Sequence, residues 1–137
     1  MKIQESRKLD LTDLAEVVVG SNSPRQGSTD LLGILRRKGI ALHKAYFKEK
    51  FDALISCRAG DFHLHLNLRP IGGDADCPRA RFTIAHELGH YFIPEHRLQL
   101  IQGKEPHGSQ CGMFDGADCI EEAETDHFAA NLLMPPS

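Results

Sequence analysis

Apolar residues recur at the spacing of an α-helix in several parts of the chain. In residues 9 to 19, LDLTDLAEVVV, four apolar side chains share one helical face: Leu11, Leu14, Ala15 and Val18. Residues 30 to 38, DLLGILRRK, predict a second helix, which Ser28 or Thr29 can cap and Gly39 can end.

The middle of the chain changes to the alternation that is typical of β-strands. FDALISCR and FHLHLNLRP, separated by AGD, predict a β-hairpin. In its second strand Leu64 and Leu66 alternate with His63, His65 and Asn67, so one face is buried and the other is polar. The preceding segment IALHKAYF fits either a strand or a helix.

Helical spacing returns in residues 79 to 92, and Pro94 is expected to end that helix. Residues 97 to 119 are rich in glycine and polar residues, which predicts a long loop with at most one short helix in RLQLIQ. CIEEAETDHFAANLLM predicts a final helix before Pro135 and Pro136. The mixture indicates an α+β fold, and the length of 137 residues predicts one domain over residues 1–137.

Composition narrows the class of protein. The chain is 41% hydrophobic and 26% charged, its apolar runs are too short to span a membrane, and its first residues do not resemble a signal peptide. We therefore expect a cytoplasmic protein. The net charge of −3 argues against direct nucleic-acid binding, and the basic cluster from Arg36 to Lys50 is more typical of a solvated face. The four cysteines lack CxxC spacing, which indicates reduced thiols.

The stretch RFTIAHELGHYFIP carries the most specific chemistry. His86 and His90 are four residues apart in a predicted helix, so both imidazoles can face one metal ion, with Glu87 beside them. A zinc ion would lower the pKa of a bound water from about 15.7 to about 7. Glu87 could then take the proton of that water as a general base. Gly89, a poor helix former, would allow a close approach by another backbone or a substrate.

A catalytic zinc site needs a third protein ligand, and the last helix offers several acids. Glu122 and Asp126 are four residues apart and share a face. We interpret Glu122 as the third ligand and Asp126 as the acceptor of a proton from a metal-bound histidine. Glu124 is the alternative ligand, and a solvated acidic face is the simpler explanation for Glu121.

Together, RFTIAHELGHYFIPEH and EEAETDHFAANLLMPP resemble the motifs of the ImmA/IrrE family of bacterial and phage zinc metallopeptidases. The similarity covers residues 67 to 135, about half of the chain. Glu122, Glu124 and Asp126 match the acidic positions of the second motif, whereas Thr125 stands where alanine is usual. The segment between the motifs is longer than usual, which bears on the shape of the cleft. The resemblance implies a small zincin-like domain with helices around a short twisted sheet.

The resemblance also implies a function. Members are similar to enzymes that cleave or inactivate helix-turn-helix repressors in stress responses or mobile-element control. We therefore expect a zinc-dependent endopeptidase whose partner is such a repressor, although imidazole and carboxylate ligands also accept Mn²⁺. The end of the chain after LLMPPS indicates a minimal catalytic unit or a truncated chain. The strand from residue 63 to 69 is predicted as an edge that pairs with extended substrate.

Two points stay open on sequence alone. The donor to a developing oxyanion could be one of five side chains, although Tyr91 is more typical of a structural residue: Tyr91, His63, His65, His96 and His107. The alternative function is a metal-binding regulatory or sensor module that binds a repressor without cutting it. In that case Cys77, Cys111 or Cys119 could fill the open metal position, although spare thiols are the simpler interpretation.

Overall fold

A computed structural model describes residues 3–21, 29–104 and 117–133 of the chain. They form a mixed α+β fold of five helices and a small three-stranded sheet. The elements in chain order are α1 (Glu5–Ser21), α2 (Leu31–Arg37), β1 (Ala41–Ala45), β2 (Ala53–Arg58), β3 (Asp61–Asn67), α3 (Pro78–Phe92), α4 (Pro94–Ile101) and α5 (Ala117–Leu133). None of these helices is long and apolar enough to cross a membrane.

The sheet confirms the predicted hairpin and decides the ambiguous segment before it. β2 and β3 pair antiparallel around Ala59 and Gly60, whose φ angles of 52° and 84° are the positive values that a tight two-residue turn requires. The segment that fitted a strand or a helix forms β1, which pairs parallel with β3. Leu64 and Leu66 are buried while His63 and His65 are partly exposed, as predicted, but Asn67, expected on the polar face, is 2% exposed. Its amide bonds to the backbone of the segment before β2.

The strand order is β1–β3–β2, which corrects one prediction. The strand from residue 63 to 69 was expected at an edge, but β3 is the central strand and both of its sides are paired. Sequence alternation reports which face of a strand is buried and carries no signal for the parallel partner that β1 supplies. Among the described residues, β1 and β2 are the edges of the sheet.

The predicted helices are present, with different boundaries and one different cap. The Asp30 carboxylate caps α2 by accepting from the Gly33 N–H at 3.0 Å. Thr29, predicted as a cap, is buried and donates instead to the Leu132 carbonyl of α5 at 2.6 Å. Ser28, the other predicted cap, lies outside the described residues. Gly39 follows α2 with a φ of 72°, as expected for a residue that ends a helix.

Prolines begin both helices around the candidate motif. Pro78 lies in the first turn of α3, and the Cys77 thiol accepts from the Ala80 N–H at 3.4 Å. Pro94 ends α3 as predicted, but it also starts α4, which is longer than the short helix expected in RLQLIQ. The residues between Lys104 and Ala117 lie outside the described part of the chain.

Helix α3 lies between the sheet and α5, and α5 in turn packs on α1. Gly89 is the point of closest approach between α3 and α5. A Cβ atom at Gly89 would lie 3.1 Å from the Thr125 Cβ atom and 3.2 Å from the Thr125 Cα atom. The absence of a side chain therefore lets α5 approach α3 beside the two motif histidines, as predicted.

Candidate metal centre

Helices α3 and α5 bring His86, His90 and Glu122 together. His86 Nε2 lies 2.8 Å from Glu122 Oε1, and His90 Nε2 lies 3.2 Å from Glu122 Oε2. The candidate ligand atoms of the three residues all lie within 4.8 Å of one another, so the group could hold a metal ion. Two segments far apart in sequence thus meet in the arrangement that the helical spacing predicted.

One buried atom in this group is suited to bind a cation. His90 is 1% exposed, and its Nε2 atom has no hydrogen-bond partner among the described residues, because its approach to Glu122 lacks hydrogen-bond geometry. An unpaired buried polar atom costs about 1–3 kcal/mol, so native proteins rarely keep one without a reason. A metal ion bound to His90 Nε2 would remove that penalty. The donor set of two imidazoles and one carboxylate is one that zinc accepts.

Asp126 contacts His86 on the side of the ring that points away from Glu122. Its Oδ1 atom lies 2.7 Å from His86 Nδ1, so His86 can donate a hydrogen bond from Nδ1–H to Asp126, which leaves Nε2 free to bind a metal. Thr125 lies alongside, with its hydroxyl 3.1 Å from His86 Nε2 and donating to the Glu122 carbonyl at 2.8 Å. The structure therefore places Asp126 where the sequence interpretation placed it.

His90 is held by a buried chain of polar residues that sequence reasoning missed. Its Nδ1 atom lies 3.0 Å from His96 Nδ1, and His96 Nε2 lies 2.8 Å from Glu124 Oε1. Arg7 of α1 completes the chain by donating from Nε to Glu124 Oε2 at 2.8 Å. If His90 binds a metal through Nε2, its Nδ1–H donates to His96, whose Nε2–H donates to Glu124.

The hydrogen bonds that link His90, His96, Glu124 and Arg7 correct two predicted roles. Glu124, the alternative metal ligand, points away from the metal group and instead pairs with His96 and Arg7. His96, a candidate oxyanion donor, is 3% exposed and lies behind His90. The crowding of histidines between residues 86 and 96 could have indicated the contact between His90 and His96. Nothing in the sequence pattern pointed to Arg7, because its contact depends on the packing of α1 on α5.

Glu87 lies beside the group but is not part of it. Its Oε2 atom is 3.9 Å from His86 Nε2, and its carboxylate also accepts a backbone hydrogen bond from Ile55 of β2. Burial raises the pKa of Glu87 to about 8, and the charge of Glu122 adds to this rise, while His86 and the Ile55 N–H oppose it. A carboxyl group with a pKa near neutrality can both take and give a proton.

In the absence of a metal ion, His86 and Glu122 form an ion pair. Burial lowers the pKa of His86, but its hydrogen bonds to Asp126 and Glu122 outweigh burial and raise the pKa to about 10. Burial raises the pKa of Glu122, but the hydrogen bond from His86 and the nearby His90 ring outweigh it and lower the pKa to about 2. His86 and Glu122 therefore pair with each other in the metal-free protein.

An open cleft of about 970 Å³ lies in front of these residues. Its floor includes His86, Glu87 and Glu122, and one wall is formed by the segment before β2 and by the first residues of that strand. Three basic residues that have no ion-pair partner among the described residues lie along it: Lys48, Lys50 and Arg69. The metal group is therefore accessible to a molecule much larger than water.

The remaining candidates lie away from the cleft. Tyr91 is 7% exposed and packs edge-on against Phe62, which makes it a core residue. His63 and His65 lie on the sheet face opposite the buried Leu64 and Leu66. Cys77 caps α3 about 13 Å along the helix from His86, too far to bind the same ion. His107, Cys111 and the Cys119 side chain lie outside the described residues.

No family model matches the chain, and no curated protein matches it significantly. Within the site, the buried Nε2 atom of His90 has no hydrogen-bond partner among the described residues and faces the Glu122 carboxylate. His86, His90 and Glu122 form a group that could hold a metal ion.

Proposed function

We propose that the protein is a zinc-dependent endopeptidase. The observation that carries the proposal is the placement of Glu87: a buried carboxylate beside the His86, His90 and Glu122 group, at the floor of an open cleft. A purely structural metal site is closed and has no use for a neighbouring base. The resemblance of the two motifs to the ImmA/IrrE metallopeptidases supports the same reaction.

Three protein ligands leave one position open on a tetrahedral ion, which is the pattern of catalytic zinc sites. A bound zinc ion would polarise a substrate carbonyl and lower the pKa of a water to about 7. Mn²⁺ would accept the same ligands and is the second candidate. Asp126 holds the His86 ring, and His96 holds the His90 ring, so that both Nε2 atoms face one point.

Glu87 moves the proton in this proposal. It accepts a proton from the attacking water as the water oxygen bonds to the carbonyl carbon of the peptide. It then delivers that proton to the amide nitrogen as the carbon–nitrogen bond breaks, which releases an amine and a carboxylate. Because Glu87 lies beside the ligand group, its carboxylate could take the proton in the first step and give it up in the second.

The free edge of β2 is the proposed docking strand for the substrate backbone. The Ile55 N–H points towards Glu87, away from β3, so the alternation of a β-strand points the N–H and C=O of Ala53 in the same direction. Ala53 lines the cleft. An extended peptide that pairs with Ala53 would pass the metal group by β-augmentation.

The nature of the substrate follows from the cleft and from the resemblance. Lys48, Lys50 and Arg69 lie along the cleft without ion pairs among the described residues, which favours peptides with acidic side chains. The motif resemblance favours a helix-turn-helix repressor as the protein that is cut, in the cytoplasm, during a stress response or mobile-element control. Cleavage of such a repressor would relieve repression without direct DNA binding by this chain.

The test compares the wild type with Glu87→Gln, which keeps the shape of the side chain but removes the base. Both proteins are loaded with zinc, their metal content is measured, and cleavage of a mixed peptide library is followed by mass spectrometry. We expect equal zinc contents and a loss of cleavage rate of at least about 100-fold in Glu87→Gln. Glu121→Gln is the matched control, because Glu121 pairs with Gln99 outside the metal group.

The outcomes separate the possible functions. Cleavage by the wild type and by Glu121→Gln, with loss in Glu87→Gln alone, supports the peptidase. Zinc bound by all three proteins with cleavage by none supports a metal-binding regulatory module instead. A wild type that binds no zinc at neutral pH would remove both functions.

A further inference from the structure

Three histidines form a second cluster on the outer face of the sheet. The parallel register pairs Ala41 with His63 and His43 with His65, so all three imidazoles project from the same face. This face is opposite to the one that buries Leu64 and Leu66 against the helices. None of the three histidines lines the cleft, so the cluster is separate from the candidate metal centre.

The rings are in direct contact. His43 Nε2 lies 3.0 Å from His63 Nδ1, and the two rings stack with centroids 5.3 Å apart. His43 also stacks on His65, with centroids 4.8 Å apart and an interplanar angle of 19°. Ring nitrogens from two strands are thereby gathered at one exposed place.

Among the described residues, no carboxylate pairs with His43, His63 or His65. Burial lowers the pKa of His65, and the neighbouring His43, His63 and Arg58 lower it further. Neutral imidazole is the form that binds transition metals. The hydrogen bond between His43 and His63 likewise requires at least one neutral ring.

We infer that His43 and His63 form a second, surface site for a transition-metal ion, beside which His65 packs without completing a group of three ligands. Two nitrogens that each lie 2.0–2.1 Å from one ion are about 2.9 Å apart at a right angle and about 3.3 Å apart in a tetrahedron. The observed separation of 3.0 Å falls between these values. Imidazole ligands without carboxylates favour Ni²⁺, Cu²⁺ or Zn²⁺ over Mg²⁺ or Ca²⁺.

An ion at this site would join β1 to β3. β3 is the only described strand that pairs with β1, and its side chains alternate between the core and this surface. A metal bridge between His43 and His63 would hold the edge strand to the centre of the sheet. Metal binding at the surface would therefore raise the melting temperature of the whole protein.

The test begins with protein that holds one equivalent of zinc, so that the His86, His90 and Glu122 group is filled and the surface site is left free. Ni²⁺ is then titrated in a calorimeter, and we expect one further equivalent to bind. His43→Phe and His63→Phe each keep an aromatic ring and a good strand residue but remove the nitrogen, so each should weaken this binding at least tenfold, about the least that loss of a ligand or of its partner brings. Lys44→Gln is the control on the same strand and should bind Ni²⁺ as the wild type does.

A second measurement needs no substitution, so it tests metal binding by His43 and His63 even if a variant does not fold. Small additions of Cu²⁺ to zinc-loaded wild type should broaden the ring NMR signals of His43 and His63 before that of His127, which lies between α5 and α1. Simultaneous broadening of all three signals would overturn the inference. The inference would also be overturned if no equivalent of Ni²⁺ bound to the wild type, or if Ni²⁺ bound equally well to both phenylalanine variants.

Discussion

His90 shows how much of a metal site depends on residues that never touch the metal. Its Nε2 atom faces Glu122, and its Nδ1 atom is fixed by His96, which is itself fixed by Glu124. This arrangement selects one tautomer of His90 and one orientation of its ring. A ring that is already oriented loses less entropy when it binds an ion.

The first prediction concerns His96 as a positioning residue. In His96→Phe the ring volume remains, but His90 Nδ1 and Glu124 Oε1 lose their partner. We expect zinc affinity to fall about 10–100-fold. At saturating zinc we expect kcat to change much less than zinc affinity, because Glu87 is untouched. Competition with a coloured chelator measures the affinity.

The control for this prediction is His127→Asn, which alters a half-buried histidine that bonds to Thr12 rather than to the metal group. It should leave zinc affinity within about twofold of the wild type, since outer residues change affinity only when they hold a ligand. Equal weakening in both variants would mean that general destabilisation, and not the orientation of His90, sets the affinity.

At the residue level, the sequence predicted what depends on local spacing. The four-residue separation of His86 and His90, and of Glu122 and Asp126, is a property of one helix each. The role of Glu124 was less accessible, because only the direction of α4 shows that His96 intervenes between it and His90. The role of Arg7 could not be predicted from local spacing, because it depends on the packing of α1 against α5.

The same limit applies to elements. Helical and strand periodicity predicted α3, α5 and the hairpin, because each pattern lies within one continuous segment. The parallel pairing of β1 with β3 joins segments on both sides of β2, and no local pattern encodes it. For that reason the sequence assigned the substrate edge to β3, whereas the free edge beside Glu87 belongs to β2.

Close packing of α3 on α5 gives the second prediction. In Gly89→Ala the new Cβ would meet the Thr125 Cα atom at 3.2 Å, so α5 must move. Overpacking of this kind costs about 1–3 kcal/mol, and the better helix propensity of alanine returns about 1 kcal/mol. We expect a net loss of up to about 2 kcal/mol in the free energy of unfolding, measured by urea denaturation, and weaker zinc binding.

Gly20→Ala is the matched control in another helix. Among the described residues, no atom outside the adjoining backbone of α1 lies within 4 Å of the Cβ position at Gly20, so the gain in helix propensity dominates. It should stabilise the protein by up to about 1 kcal/mol. Stabilisation by both substitutions would show that Thr125 and α5 yield without difficulty at Gly89.

The third prediction tests the β2 edge. Ala53→Pro removes an N–H that points away from β3, a place where a strand tolerates proline. If substrate pairs with this edge, KM should rise about tenfold while zinc content stays equal. Ala53→Ser keeps the N–H at similar volume and should leave KM close to the wild-type value. An unchanged KM in Ala53→Pro would place the substrate elsewhere in the cleft.

At the scale of the whole molecule, the ionisable residues His86, Glu87 and Glu122 make the stability of the fold depend on pH. The pKa of His86 is raised from 6.5 to about 10, so its stabilising contribution is complete below pH 6.5 and is lost as pH rises through about 10. The pKa of Glu87 is raised to about 8, so ionisation of its buried carboxyl also destabilises the fold as pH rises. The depressed pKa of Glu122 has the opposite sign, and its contribution is lost as pH falls from about 4.5 towards 2.

We therefore expect the metal-free protein to lose stability between about pH 4.5 and pH 10, first as Glu87 ionises towards its pKa of about 8 and then as His86 approaches its pKa of about 10. Urea denaturation in the presence of a chelator measures this. The zinc-loaded protein should lose much less over the same range, because metal binding already requires a neutral His86. A metal-free protein whose stability is flat up to pH 10 would contradict the proposed ion pair between His86 and Glu122.

The pairing of Arg7 with Glu124 gives the amino-terminal helix a part in the metal centre. Proteolytic trimming of that helix would leave Glu124 with His96 as its one remaining side-chain partner and would expose the surface of α5 that α1 covers. A processing enzyme that removed this helix would therefore weaken the support of His90 by His96 and Glu124. Preparations with ragged amino termini would show mixed zinc occupancy for the same reason.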